Sequence, residues 1–446
     1  MKLKKINYFI VVMLLLGLTT GCFDSKNKPV IKPNKPKEVK DKNSISNSKD
    51  SESSKDKADI IKYNDKDDRF NEYIKDCPTY MADFGIELTK RYLNNKDFKE
   101  QNILISPLSI YSALGMTASG ASGDTLVEME KTLGVNINLF SGYFKNYTEM
   151  MKKRKNNTLK IANSIWVNSK DNEVLNEDFK SSIKKNYNAD IFSLLFNNDF
   201  VIKVNDWVKT NTDGLIDKIL NRADKNAKMY IVNALKFESA WKKQYKKNQI
   251  KKDKFYSENG KVSKIDFLCS TEYGYIATDT AIGIRKSYRD GKMFIALLPK
   301  KNKTIQDVLN TLNGKKLLYY ITNIRKYDVE TMIPKFKFKF ETSLKKDLFS
   351  MGMKKSFGSN ANFSKMLKSK TGVFINDVIH KTYIELDENG TKAAAVTAVE
   401  MLKSACLERL DVRKVNFNRP FIYMIYDFDK NTKVPIFLGV IRNLDK

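Results

Sequence analysis

ELDENGTKAAAVTAVEMLKSACLERLDVRKVNFNRPF, residues Glu385 to Phe421, is the stretch that decides how this chain is read. The turn-forming run Asp387-Glu388-Asn389-Gly390 is followed by small or β-branched residues that carry little bulk. Such a run is too apolar for an ordinary loop, yet it lacks the large side chains of a core strand. It reads as a segment able to occupy two places. At a period of two, Thr391, Ala393, Ala395, Thr397, Val399 and Met401 share one face, and Lys392, Ala394, Val396, Ala398, Glu400 and Leu402 share the other. The first face is small enough to enter between two strands without overpacking the layer beneath. The charges of Lys392 and Glu400, on the second face, can stay in water.

The flanking segments have patterns of their own. Val378, His380, Thr382, Ile384 and Leu386 alternate as the buried face of a strand that runs straight into the turn. Ile333 to Phe340 (IPKFKFKF) alternates Phe to one side and Lys to the other, as a single half-exposed strand would. Between Asn102 and Met116, Ser106 is placed to cap a helix with Pro107 at its first position, and the helix that follows is rich in small apolar residues. It continues through Gly120 to Thr125 into a second helix ending at Leu133-Gly134. Periodicity predicts further strands over Leu159–Val167, Met229–Phe237 and Met293–Leu298. It predicts helices over Met81–Leu93, Phe144–Met151, Phe179–Tyr187, Val201–Thr210 and Ile305–Leu312.

Several of these motifs, in this order, resemble the serpins. Glu388 to Thr397 (ENGTKAAAVT) is similar to the hinge of the family's inhibitory members, and Val415 to Ile425 (VNFNRPFIYMI) to its signature strand downstream of the reactive-centre loop. Asn102 to Met116 resembles the family's second helix, and Asn233 to Trp241 (NALKFESAW) resembles a strand under its central sheet. Leu344 to Ser364 and Lys433 to Arg442 are similar as well, so the likeness covers roughly residues 75 to 446. One departure is visible: Lys392 stands where most inhibitory serpins carry Glu. On the alternation above it faces outward, where a charge of either sign is tolerated.

The resemblance implies an α+β fold of three β-sheets and eight or nine helices, with an exposed reactive-centre loop. It implies an inhibitor rather than an enzyme. A target protease attacks the loop and forms its acyl intermediate, and the freed hinge then inserts as an extra strand. The hinge would comprise Glu388, Gly390, Thr391, Ala393, Ala394, Ala395 and Thr397. The expected reactive bond is Lys403–Ser404, with the lysine suited to the acid-lined pocket of a trypsin-like serine protease. Counting from Gly390 by the commonest hinge length gives Ser404–Ala405 instead, and counting back from Pro420 reaches Arg409. The family likeness also places His380 with Ser106, Ser109 and Asn233 in a buried cluster where strands part, and Trp241 at the top, where the hinge enters. The expected partner is a protease, and the chain itself is expected to be a monomer. The rival readings are a cysteine-protease inhibitor, a non-inhibitory surface protein that carries a ligand or acts as an adhesin, and a lipoprotein enzyme.

Residues 1–21 have the form of a lipoprotein signal peptide: Lys2, Lys4 and Lys5 precede the apolar run Ile6 to Leu18, which ends at Thr19-Thr20-Gly21-Cys22. Cys22 would carry the lipid, and the protein would sit on the extracellular face of a bacterial membrane. Residues 22–72, dense in Lys, Ser, Asp and Asn, cannot bury enough surface to fold and read as a tether of about 35 to 40 Å root-mean-square span. The folded domain is expected over residues 73–446.

The net charge of +28, from 80 Lys and Arg against 52 acids, invites a nucleic-acid reading. The basic residues are nevertheless spread through every segment, and no nucleic-acid-binding motif is present. The densest cluster, Lys152, Lys153, Arg154 and Lys155, reads as a solvated helix end, with an acidic polysaccharide site as the alternative. Apart from Cys22, the cysteines are Cys77, Cys269 and Cys406, an odd number with no paired spacing, so no disulfide framework is indicated. The single histidine, His380, lies on an apolar strand face without a nucleophile motif, which argues against hydrolase chemistry. One His and dispersed cysteines do not make a metal site, and no phosphate-binding loop appears. No cofactor is expected.

Overall fold

The computed structural model describes residues 68–154, 159–171, 174–368, 372–391, 412–428 and 433–444. Helix α1 (Asp68–Asn94) leads to strand β1 (Ile103–Ile105) and helix α2 (Pro107–Ser119). Helix α2 begins where sequence chemistry requires. The Ser106 side chain accepts a hydrogen bond from the Ser109 amide, and Pro107 occupies the first turn. Every residue from Pro107 to Ala118 is buried, as befits a helix enclosed on all sides.

Helices α3 (Gly123–Leu133), α4 (Ile137–Lys153) and α5 (Glu177–Tyr187) pack around α2. Helix α4 is twice the expected length. Its cap is Asn136, whose side chain accepts from the amides of Asn138 and Leu139, and its buried residues Phe140, Phe144, Tyr147 and Met151 keep one helical face. Strand β2 (Leu159–Asn168) precedes α5, and β3 (Asp190–Leu194), α6 (Asn198–Asn211), β4 (Met229–Phe237) and β5 (Ser239–Ala240) follow it. Then come β6 (Ile250–Tyr256), β7 (Val262–Ala277), β8 (Ala281–Ser287) and β9 (Lys292–Pro299), and the helices α7 (Ile305–Thr311) and α8 (Gly314–Thr322). The chain continues with β10 (Arg325–Pro334), β11 (Phe336–Ser343), α9 (Lys345–Ser350), β12 (Ile375–Leu386), β13 (Gly390–Thr391), β14 (Val412–Asn416), β15 (Phe421–Phe428) and β16 (Lys433–Ile441).

These strands make an α+β fold with nine helices among the described residues. Two of the three expected sheets are joined in one ladder, β1-β16-β15-β9-β8-β7-β10-β14 with β6 on β7. The joint is β7 itself, 16 residues long. It pairs with β6 and β10 over most of its length and with β8 at Tyr275 to Ala277. The other ladder runs β3-β2-β4-β12-β13-β5, with β11 on β12. Helix α2 packs against β2 and β4 of this ladder and β16 of the other, so the main core lies between them. The outer face of the second ladder is covered by α6, with Phe200, Val204 and Val208 against Trp166, Tyr230 and Val232.

The alternation from Ile333 to Phe340 belongs to two strands, not one. Strand β10 ends at Pro334, which has no amide hydrogen to extend a ladder. Strand β11 starts at Phe336 in the other sheet, and the intervening Lys335 donates its amide to the Asp266 carbonyl at 2.9 Å. Within β11 the expected faces hold: Phe336 and Phe340 are buried, Lys337 and Lys339 exposed.

Candidate functional site

The pairing of β4 with β12 is parallel, although both strands pair antiparallel on their other sides. Asn233 lies opposite His380, and Ile231 opposite Val378. The inward face of β12 is Val378, His380, Thr382, Ile384 and Leu386, all buried, as the alternation required. Two polar side chains therefore meet at the middle of this seam, facing the capped start of α2.

They are fully partnered. Ser109 donates its hydroxyl to Asn233 Oδ1, and Asn233 Nδ2 donates to the Ser109 carbonyl at 3.0 Å and to Asn163 Oδ1 at 2.6 Å. The Ser106 amide donates to His380 Nε2 at 3.2 Å, so the ring proton sits on Nδ1, 3.4 Å from Asn233 Oδ1. Ser106 Oγ donates to the Ile436 carbonyl of β16 at 2.6 Å. Burial lowers the His380 pKa to about 3 from its ordinary 6.5. The ring is thus neutral, and the site offers no nucleophile aligned on it. Its role is that of a cross-link: α2, β2, β4, β12 and β16 are tied together through one buried polar cluster. Ser106, Ser109, Asn233 and His380, grouped by the family likeness, are in contact here. Sequence reasoning missed Asn163 and Ser112, which extend the network by an Asn163 Nδ2 to Ser112 Oγ bond of 2.9 Å. Asn163, a polar residue within the largely apolar β2, was the signal available.

Trp241 stands apart from this cluster, at the end of the seam where β12 turns back. The Asp387 carboxylate accepts from the amides of Asn389 and Gly390 at 2.7 and 3.1 Å, closing the turn. Gly390 is required there, because a Cβ would lie 2.1 Å from the Ser239 carbonyl oxygen. Three successive carbonyls of the turn are then held by one segment. Trp241 Nε1 donates to Asp387 O at 2.9 Å, the Tyr245 amide to Glu388 O at 3.0 Å, and the Trp241 amide to Asn389 O at 2.9 Å. Glu388 also forms an ion pair with Lys335 Nζ at 2.7 Å. Past the turn, Thr391 is buried and pairs with Leu386 on one side and Ser239 on the other. Its hydroxyl is 2.6 Å from that of Tyr288. Tyr288, Tyr245 and Lys335 were not foreseen, and they carry no local signal, being far from the turn in sequence.

The remaining hinge residues Ala393, Ala394, Ala395 and Thr397, the reactive-bond candidates Lys403, Ser404, Ala405 and Arg409, and also Cys406 and Cys22, lie outside the described residues. Of the basic cluster, Lys152 and Lys153 are exposed and Lys155 lies outside the described residues. Arg154 turns inward to the fully buried carboxylate of Asp427, at 2.6 Å. That removes one charge from any surface patch.

The family profile described as Serpin (serine protease inhibitor) matches residues 79–444. Serine proteinase inhibitor 1 of Variola virus is 30% identical over 387 residues, covering 81% of this chain and 96% of its own. Intracellular coagulation inhibitor 2 of Tachypleus tridentatus is 28% identical over 396 residues, covering 86% and 94%. Among solved structures, the thermophilic serpin tengpin in its native state superposes with a TM-score of 0.75 at 38% identity, over 84% of this chain and 94% of that one. With the profile matching residues 79–444, this chain belongs to the serpin family.

Proposed function

We propose that the protein inhibits a trypsin-like serine protease by trapping it as an acyl complex. The residues after Thr391 are the bait, and they then enter the β4–β12 seam. The observation that carries this is the seating of Thr391. The β12–β13 hairpin already has its first antiparallel pair, Leu386 with Thr391, at the open end of a parallel seam. A strand returning along β12 runs antiparallel to β12 and to β4 alike. It therefore replaces one parallel ladder by two antiparallel ones, which are the slightly stronger kind.

The register supports the assignment in detail. Continued from the Leu386–Thr391 pair, it sets Ala393 against Ile384, Ala395 against Thr382, Thr397 against His380 and Val399 against Val378. The small face of the segment thus meets the buried face of β12. Leu402 falls opposite Ile375, the first residue of β12, so the insertable strand ends just before Lys403. This favours Lys403–Ser404 as the reactive bond. Its lysine contributes the acyl half and Ser404 the leaving amine, and a strand of this length carries the acylated protease about 40 Å along the sheet.

The test is incubation of residues 73–446 with trypsin-like, chymotrypsin-like and cysteine proteases. A denaturant-resistant adduct forms with the first class, and the released peptide begins at Ser404. A peptide released without an adduct from any class overturns the reading. We further infer from the sequence that the exported chain is held at the outer face of a bacterial membrane by lipid on Cys22. Fatty-acid labelling that persists in a Cys22→Ser variant would overturn that.

A further inference from the structure

Lys286, next to last in β8, is a charge in an expensive place. Its side chain is 3% exposed, and its ammonium lies 2.6 Å from Glu272 Oε1 on β7. Above it are two aromatic faces, Tyr245 at 4.4 Å and Trp241 at 5.4 Å from ring centroid to Nζ. The Ser270 hydroxyl donates to Glu272 and lies 3.3 Å from the Tyr245 hydroxyl, which closes a ring of contacts. Replacing a buried ion pair by apolar side chains of like shape usually costs no stability and often adds some. Stability alone therefore does not account for this pair.

Its location does. The two rings that cover Lys286 belong to Trp241 and Tyr245, the residues whose amides and indole hold the carbonyls of Asp387, Glu388 and Asn389. On its other side, the Trp241 ring stacks on Tyr288 at 4.4 Å and meets Phe294 edge-on. Tyr288 in turn reaches the Thr391 hydroxyl. Among the described residues, Lys286 has its ion pair with Glu272 and its ring contacts with Tyr245 and Trp241, none of them a hinge residue. It fixes the orientation of the two side chains between which the turn is clamped, through cation–π contacts that are directional and strengthened by desolvation.

We propose that Lys286, paired with Glu272, is a positioning residue for loop insertion: it holds Trp241 and Tyr245 so that the Asp387–Gly390 turn is a fixed pivot from which the strand beginning at Thr391 enters the seam. This rests on the inhibitory reading above. Trapping is a race between insertion of the cleaved hinge and hydrolysis of the acyl bond. A loosened pivot slows the first and leaves the second alone, so more inhibitor is cut without capturing protease.

The test uses Lys286→Met with Glu272→Leu, which removes both charges and orphans neither. The melting temperature stays level or rises. Hydrogen exchange at the Trp241 and Tyr245 amides quickens at least tenfold, and the inhibitor consumed per protease trapped rises at least threefold with the rate of loop cleavage unchanged. Lys286→Arg, keeping Glu272, restores both readouts toward wild type. If the double variant does not fold, Glu272→Gln is measured in the same way. Wild-type exchange together with wild-type stoichiometry in the folded variant overturns the pivot. If the wild-type protein traps no protease, the inhibitory reading fails, and exchange decides alone: unchanged protection overturns the pivot and lost protection upholds it.

Discussion

Asn233 ties its own β4 to α2 through Ser109, to β2 through Asn163 and to β12 through His380. Truncation to Ala leaves the Ser109 hydroxyl and the Asn163 carbonyl oxygen without that partner in a buried site, at about 1 to 3 kcal/mol for each orphan. Asn233→Ala should therefore lose about 3 kcal/mol in urea denaturation; a loss below about 1 kcal/mol would mean the cluster does not brace the seam. His380 adds a pH dependence whose sign is fixed by burial. Its folded pKa of about 3 lies below the unfolded value of 6.5, so the unfolded chain takes up the proton first. The stability present above pH 6.5 is lost as pH falls toward 3, at about 1.4 kcal/mol per pH unit. Subtracting the curve of His380→Gln from that of wild type isolates this slope, and equal slopes between pH 6 and 4 would refute it. His380 was legible in the sequence as a polar side chain on the apolar face of β12, whereas Asn233 was placed by the family likeness of its segment. Lys286 and Tyr288 were not legible, since their partners are brought by the fold from distant strands.

Strand β12 and its hairpin return are the element on which function turns. Strands β12 and β4 bond directly over Ile375 to Lys381 and Met229 to Ala234, with one irregularity between Ile375 and Asp377, and beyond Leu386 Thr391 lies between β12 and β5. A bulky charge on the small face of the incoming segment must halt insertion where that residue would meet the buried face of β12. Ala395→Arg would set a guanidinium against the buried Thr382, at a desolvation cost of several kcal/mol. The variant should be cut by the same protease at the same rate yet form no adduct on a denaturing gel; adduct formation at wild-type yield would show that the register above is wrong. Turn chemistry and alternation made both ends of β12 readable, because Asp387 and Gly390 impose the turn whatever surrounds them. The parallel pairing of β4 with β12 was not readable, since register across residues so distant in the chain is set by the packing of α2 and α6 on the sheet. The split of β10 from β11 was missed for a related reason: the Phe–Lys alternation runs unbroken across Pro334 while the ladder does not.

At the scale of the molecule, the proposed mechanism adds a strand to the second ladder. Among the described residues that strand begins with Gly390 and Thr391, paired as β13, and the sequence that follows Thr391 is long enough to match β12. In the proposed mechanism, cleavage would free the strand from β14, which pairs parallel with β10 further along the chain. The inserted strand would then bond on both edges. Against the parallel ladder it displaces, the net gain is on the order of ten hydrogen bonds at about 1 kcal/mol each, as much as the whole stability of an ordinary domain. For a chain of this size that corresponds to a rise of about 10 to 20 °C in melting temperature. Calorimetry on protein nicked between Lys403 and Ser404 should show this rise, while Ala395→Arg nicked at the same bond should not. The comparison separates insertion from any general effect of relieving a taut loop, because both proteins are cut and only one can seat its strand. Equal melting temperatures for nicked wild type and nicked variant would leave the seam as a fixed part of the core, and the captured protease would then be free to finish its hydrolysis.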